Sequence, residues 1–160
     1  DCDKSGIGAA TVKVAGITVT AVVAVNAFGD VVDENGKIIA GAKGKNGEYI
    51  DTEKCLIDAD LSKIVLGTNT TIGCIITNAA LDKVHANKLA EISHDGLARA
   101  VRPVHTDYDG DTMFCMSTGK IPVLNFVTLQ SAAVVATEQA VRNAVSSGKD
   151  YEVLFDETEE

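Results

Sequence analysis

Long apolar runs are missing from this sequence of 160 residues. Stretches such as Ala21 to Val25 and Ala132 to Ala136 fall far short of the ~20 residues that cross a bilayer as a helix, so no membrane-spanning segment is expected. Positive charge is also scarce. Fourteen Lys and Arg stand against 23 Asp and Glu, and the formal net charge of −9 repels phosphate backbones and anionic lipids, which argues against nucleic acid as a partner. Cys2, Cys55, Cys74 and Cys115 form no C-x-x-C pair, and no His stands at ligand spacing, which excludes a structural zinc site. These thiols read as small apolar core residues of a reducing, cytoplasmic compartment. A Walker A sequence is absent, and Lys4-Ser-Gly-Ile-Gly8 offers two glycines without the rest of a dinucleotide fingerprint. An EF-hand is excluded as well: in the loop opening at Asp107-Tyr-Asp-Gly-Asp111, Gly is fourth rather than sixth and the twelfth position is Thr118 rather than Glu.

What is present is an ordinary globular balance, 46% apolar and 23% charged, in a length close to the ~150 residues of one domain. The chain starts at Asp1 rather than Met, and it is expected to be either a single domain over 1–160 or the C-terminal portion of a longer precursor. Thr11 to Val14 and Ile17 to Asn26, punctuated by Gly16, predict two strands joined by a tight turn. Residues 33–60 are rich in Gly, Asn and Lys and lose periodicity, which predicts a long loop. A strand over Thr71 to Thr77 is followed by Asp82, a helix cap. The helix it starts runs to about Val101, with Ala86, Leu89, Ala90, Ser93, Leu97 and Ala100 on one face and Pro103 ending it. Thr112 to Ser117 reads as a strand, and Phe126 to Ser147 as mostly helix with Gly148 as its C′ residue. Strands beneath two long helices predict a layered α+β domain.

Two polar concentrations interrupt this apolar pattern. In Gly67-Thr-Asn-Thr-Thr-Ile-Gly73 a hydroxyl-rich loop enters a buried strand. Such clusters make turns by bonding their own backbone. The alternative is chemical: Thr70 attacks the carbonyl of Asn69, water opens the ester, and Thr70 becomes a new N-terminus. Its α-amine, with a reference pKa of about 7.7 to 8.0, then acts as base to its own hydroxyl. The second concentration is Asp109-Gly-Asp111. Two carboxylates two residues apart share a face of an extended segment, where they form either a solvated acidic turn or a cradle for one cationic group such as a Thr α-ammonium. Asn26, closing an apolar strand, is a strand terminator or a donor for a developing oxyanion. His85, His94 and His105 read as helix-surface or loop residues, and Arg99 and Arg102 as helix-dipole partners.

Several segments together resemble the self-processing L-aminopeptidase/D-esterase family, which includes β-peptidyl aminopeptidases and nylon-oligomer hydrolases. They are Lys4-Ser-Gly-Ile-Gly-Ala-Ala10, Val22-Val-Ala-Val-Asn-Ala-Phe-Gly-Asp30, Asn69-Thr-Thr-Ile-Gly73 with Thr77-Asn-Ala79, His94-Asp-Gly-Leu-Ala-Arg-Ala100 and Asp109-Gly-Asp-Thr112. The resemblance implies an αββα four-layer sandwich, here partly represented, and autoprocessing between Asn69 and Thr70. It implies Thr70 as the N-terminal nucleophile, Asn26 as the oxyanion-stabilising residue, and Asp109 and Asp111 as the acids that orient nucleophile and amine. Lys4 takes the place of the Lys before the family's glycine pair, with Ser5 where Gly is usual. No metal or cofactor is implied. Implied partners are a short peptide or amide substrate, a preceding segment of the same precursor that has no counterpart here, and further copies in a homo-oligomer. Two other readings are an ornithine acetyltransferase, which also cleaves before a Thr and passes the acyl group to an amine, and a catalytically silent truncated homologue.

Overall fold

A two-residue turn at Ala15-Gly16, both with positive φ (49° and 73°), matches the twist of the strands it joins. These are β1 (Ile7–Val14) and β2 (Ile17–Ala24), paired antiparallel with Val14 opposite Ile17. The computed structural model describes residues 6–59 and 69–146, and the backbone of 151–154. Lys4, Cys2 and Gly148 lie outside the described residues.

After β2 come β3 (Asp30–Val32), β4 (Ile38–Ala40), α1 (Thr52–Ile57), β5 (Ile72–Ala79) and α2 (Lys83–Ala100). They are followed by β6 (Val101–Arg102), β7 (Thr112–Ile121), α3 (Phe126–Val145) and β8 (Tyr151–Leu154). The main sheet has the order β7-β5-β2-β1-β8, and a smaller one has the order β4-β3-β6. Strand β5 is antiparallel to β2 and parallel to β7; α2 is the crossover that the parallel pair requires.

Helices α2 and α3 start where side-chain oxygens meet their first free N–H groups. Asp82 accepts from the His85 N–H at 2.8 Å, and Asn125 accepts from Val127 at 3.0 Å and Thr128 at 3.4 Å. Leu89, Ser93, Leu97 and Ala100 are buried on the face the spacing predicted. Both helices cover one face of the main sheet. Alternate strand residues, Ala10, Val12, Val19, Ala21, Val23, Ile75 and Met113, form one core with Leu89, Leu97, Leu129, Ala136 and Val141. The opposite face carries Ile7, Ile72, Phe114 and Met116, each more than half exposed. One helical layer on one principal sheet is the α+β arrangement expected, and half of the four layers. Among the described residues no helix is long and apolar enough to cross a membrane.

The region over 33–60 departs from the predicted loop: it contains β4 and α1. Its order comes from a buried carboxylate rather than from apolar periodicity. Asp30, 2% exposed, accepts from Ala42 N–H at 3.2 Å, Thr52 N–H at 2.7 Å and the Thr52 hydroxyl at 3.1 Å. Burial raises its pKa above the usual Asp value against the opposing pull of these bonds. Asp30→Asn is therefore expected to destabilise the protein although it removes a buried charge. Whichever way the amide turns, its NH2 faces the backbone N–H of Ala42 or Thr52. The expected loss is about 1–3 kcal/mol, read as a lower urea midpoint; an unchanged midpoint would show that Asp30 does not organise this region.

Candidate active site

The parallel register of β5 and β7 places Ile72 beside Thr112, so the residues just before each strand also run side by side. Asn69 forms a bridge with Asp109, and Thr112 N–H donates to Thr71 C=O at 2.9 Å. On the other side of β5, Ala24 pairs with Ile72, which carries the end of β2 to the same place. There the Asn26 carbonyl accepts from Thr70 N–H at 2.9 Å. Three segments distant in sequence thus meet at one end of three adjacent strands.

Asn69 and Thr70 are consecutive residues of one chain, and the peptide between them is held on all sides. The Asn69 carbonyl accepts from Gly110 N–H at 2.9 Å and from the Thr70 hydroxyl at 2.6 Å. Two donors on one carbonyl polarise it toward attack. The Asn69 N–H donates to Tyr108 C=O at 3.2 Å, and its side-chain amide donates to Ala27 C=O at 3.1 Å. Gly110 is required here by space: a Cβ on it would stand 2.8 Å from the Thr70 hydroxyl oxygen, too close for any real side chain.

The two acids have different occupancies. Asp109 is fully engaged: Oδ1 accepts from Phe28 N–H at 3.2 Å, and Oδ2 accepts from the Thr106 N–H at 3.0 Å and hydroxyl at 2.7 Å. It ties the turn before β7 to the end of β2, where the rings of Phe28 and Tyr108 stack 5.3 Å apart. The side chain of Asp111 is only 3% exposed. Its Oδ1 accepts from Thr71 N–H at 2.8 Å, while the buried Oδ2 has no hydrogen-bond partner among the described residues. A buried acceptor left open on a carboxylate that already holds the Thr71 N–H, one residue from Thr70, suits a group that gains protons during a reaction, as an amide nitrogen does when it becomes an amine.

The structure therefore brings together Asn26, Asn69, Thr70, Asp109 and Asp111. Asn26 is exposed, and its contact with Thr70 is made by its backbone carbonyl. Gly110 was not among the expected site residues; its signal is a glycine between two site acids, where close backbone approach is needed. His94 lies on α2 and His105 in an exposed loop, as the helix-surface or loop reading expects; beyond that reading, they pair with each other and His105 lies 3.8 Å from Asp111. No pattern in sequence joins a helix residue to a loop eleven positions on. Burial, with Cys74 nearby, pushes the Cys115 thiol up to about 11, and burial raises Cys74 too, so neither is ionised near neutral pH. Among the described residues no group of His, Cys, Asp and Glu is placed to hold a metal ion.

The family model of Peptidase family S58 matches residues 3–157. An uncharacterised aminopeptidase of Mycobacterium leprae is 38% identical over 127 residues, 74% of this chain and 34% of the relative. A 6-aminohexanoate-oligomer endohydrolase of Kocuria is 31% identical over 122 residues, 73% of this chain and 34% of the relative. Among solved structures, a Burkholderia β-aminopeptidase superposes with a TM-score of 0.58 at 25% identity, over 89% of this chain and 42% of that one. The L-aminopeptidase D-Ala-esterase/amidase of Ochrobactrum anthropi, described as a variant of the Ntn hydrolase fold, shares the fold with a TM-score of 0.55 at 20% identity, over 89% of this chain and 40% of that one. The chain spans about a third of the length of the curated relatives it matches. With nearly its whole length matched, the chain belongs to Peptidase family S58.

Proposed function

We propose that this chain is the nucleophile-bearing part of a self-processing aminopeptidase or amidohydrolase that acts on short peptides or amides through Thr70. The observation that carries the reading is the Asn69 carbonyl, shared between the Thr70 hydroxyl and the Gly110 N–H. In the precursor step, Thr70 Oγ bonds to the Asn69 carbonyl carbon while Gly110 N–H supports the oxyanion. The carbon–nitrogen bond then breaks, the hydroxyl proton ends on the Thr70 nitrogen, and water hydrolyses the resulting ester. The new α-amine forms beside the open oxygen of Asp111 and the carbonyl of Asn26, both of which suit an ammonium.

In turnover the same hydroxyl attacks the substrate amide. The α-amine takes the hydroxyl proton and passes it to the leaving amine, and water releases the acyl group. Asn26, exposed at the same strand end, supplies its carboxamide to the oxyanion together with Gly110 N–H, while Asp109 keeps the turn in register. Lys4 contributes from the segment before β1. The names of the relatives, aminopeptidase and oligomer endohydrolase, favour water over an amine as acyl acceptor, and hence hydrolysis over acetyl transfer. The exposed apolar face of the main sheet supports completion of the enzyme by the remainder of a longer precursor and by further copies. Free thiols at Cys55, Cys74 and Cys115 support a cytoplasmic setting.

Thr70→Ala in the full-length protein is expected to leave a single uncut polypeptide on intact-mass analysis and no hydrolysis of an amino-acyl p-nitroanilide. Cleavage that persists without this hydroxyl would remove Thr70 from its role. Gly110→Ala keeps the backbone N–H but drives a methyl group against Oγ. Self-cleavage should slow by about 10²-fold, because sub-ångström misplacement of reacting atoms is penalised at that scale. Processing at the wild-type rate would show that the close approach of Gly110 is incidental.

A further inference from the structure

The proposed self-processing chemistry does not use His94 and His105, a pair that ends at Asp111. His94, on the fourth turn of α2, places Nδ1 2.9 Å from Nε2 of His105, with the rings edge to face at 4.8 Å. The same Nε2 is 3.8 Å from Oδ2 of Asp111, the buried oxygen that has no hydrogen-bond partner among the described residues. His105 is held in this position by its backbone. It sits at φ 56°, a left-handed conformation uncommon outside glycine, and the next residue is tied through Thr106 N–H to Asp109 at 3.0 Å. The charged groups facing the pair are Asp111, from the segment before β7, and Asp95, from α2.

We propose that His105, oriented by His94, is a positioning residue for Asp111: its Nε2 is shared between His94 and the open carboxylate oxygen, according to the protonation of the imidazole pair. In the neutral pair one proton bridges Nδ1 of His94 and Nε2 of His105, and Oδ2 stays open for the nitrogen of Thr70. When both imidazoles are protonated, two N–H groups oppose each other across 2.9 Å. His105 is then repelled from His94 and turns its Nε2–H to Asp111, closing the remaining gap to a charge-assisted hydrogen bond. Asp111 is thereby occupied, and with it the acceptor next to Thr70. Burial and the His105 charge lower the pKa of His94 below the ordinary histidine value, against the pull of Asp111 and Asp95. That lowering favours the neutral imidazole of His94 at neutral pH, and acidification adds charge to it.

The effect on Thr70 rests on the self-processing reading; the contact itself does not, and the test separates them. In 15N-labelled full-length protein carrying Thr70→Ala, uncut in either case, the Thr71 amide reports on Asp111 through its bond to Oδ1. Between about pH 5 and 8, its chemical shift should follow the titration of the two imidazoles. Adding His94→Gln, which keeps the helix, or His105→Asn, which accepts the left-handed backbone, should abolish that response. A Thr71 amide that stays constant while the imidazoles titrate would overturn the proposal, as would a response that survives both substitutions. With Thr70 restored, the wild-type rate of self-cleavage should fall on acidification, and both variants should lose that fall. A Thr71 response in the Thr70→Ala protein, together with a wild-type protein that never cleaves, would uphold the positioning contact and refute the processing reading instead.

Discussion

The parallel pairing of β5 with β7 is the constraint on which the site depends. Its register sets Ile72 beside Thr112, and the chain leading into each strand inherits that alignment. Asn69 therefore lies beside Asp109, and Thr71 beside Asp111. In a strand pair a slip of one residue moves every side chain to the other face. Here it would also separate Gly110 N–H from the Asn69 carbonyl. What holds the register is the apolar contact of the sheet with α2 and α3, so the chemistry at one strand end is positioned by a core largely remote from it.

The division of labour between the acids follows from the same alignment. Asp109 has both oxygens bonded to backbone and hydroxyl donors, which suits a carboxylate that holds a turn in shape. Asp111 spends only one oxygen on the backbone and keeps the other buried and open. A buried acceptor without a donor is costly in a finished fold. In the proposed self-processing, where the Thr70 nitrogen changes from amide to amine, that cost becomes part of the chemistry. His105, paired with His94, stands 3.8 Å from the same oxygen, so in the proposed chemistry one carboxylate faces two competing sources of protons.

Much of the frame was legible in the residues. Asp82 ahead of an apolar stripe announced α2, the Ala15-Gly16 break between β-branched runs announced a hairpin, and Asn69-Thr70 and Asp109-Gly-Asp111 are the two polar concentrations that the fold brings side by side as the candidate site. What escaped was held by contacts distant in sequence. β3, β4 and β6 are only two or three residues long, too short for periodicity to register, and α1 is anchored by the carboxylate of Asp30 rather than by an apolar face. Gly110 and the two histidines take their meaning from β5, β7 and α2 being brought together, which no local pattern reports. The exposed Ile7, Ile72, Phe114 and Met116 mark the remaining face of the sheet, in a chain that spans about a third of its curated relatives.

The central claim is that this register converts an ordinary peptide bond into a reactive one. N-terminal sequencing of the purified, full-length wild-type protein tests it most directly. The account predicts a second terminus that begins at Thr70, in equal amount to the first. A single terminus, with the Asn69–Thr70 bond intact in all of the protein, would contradict it.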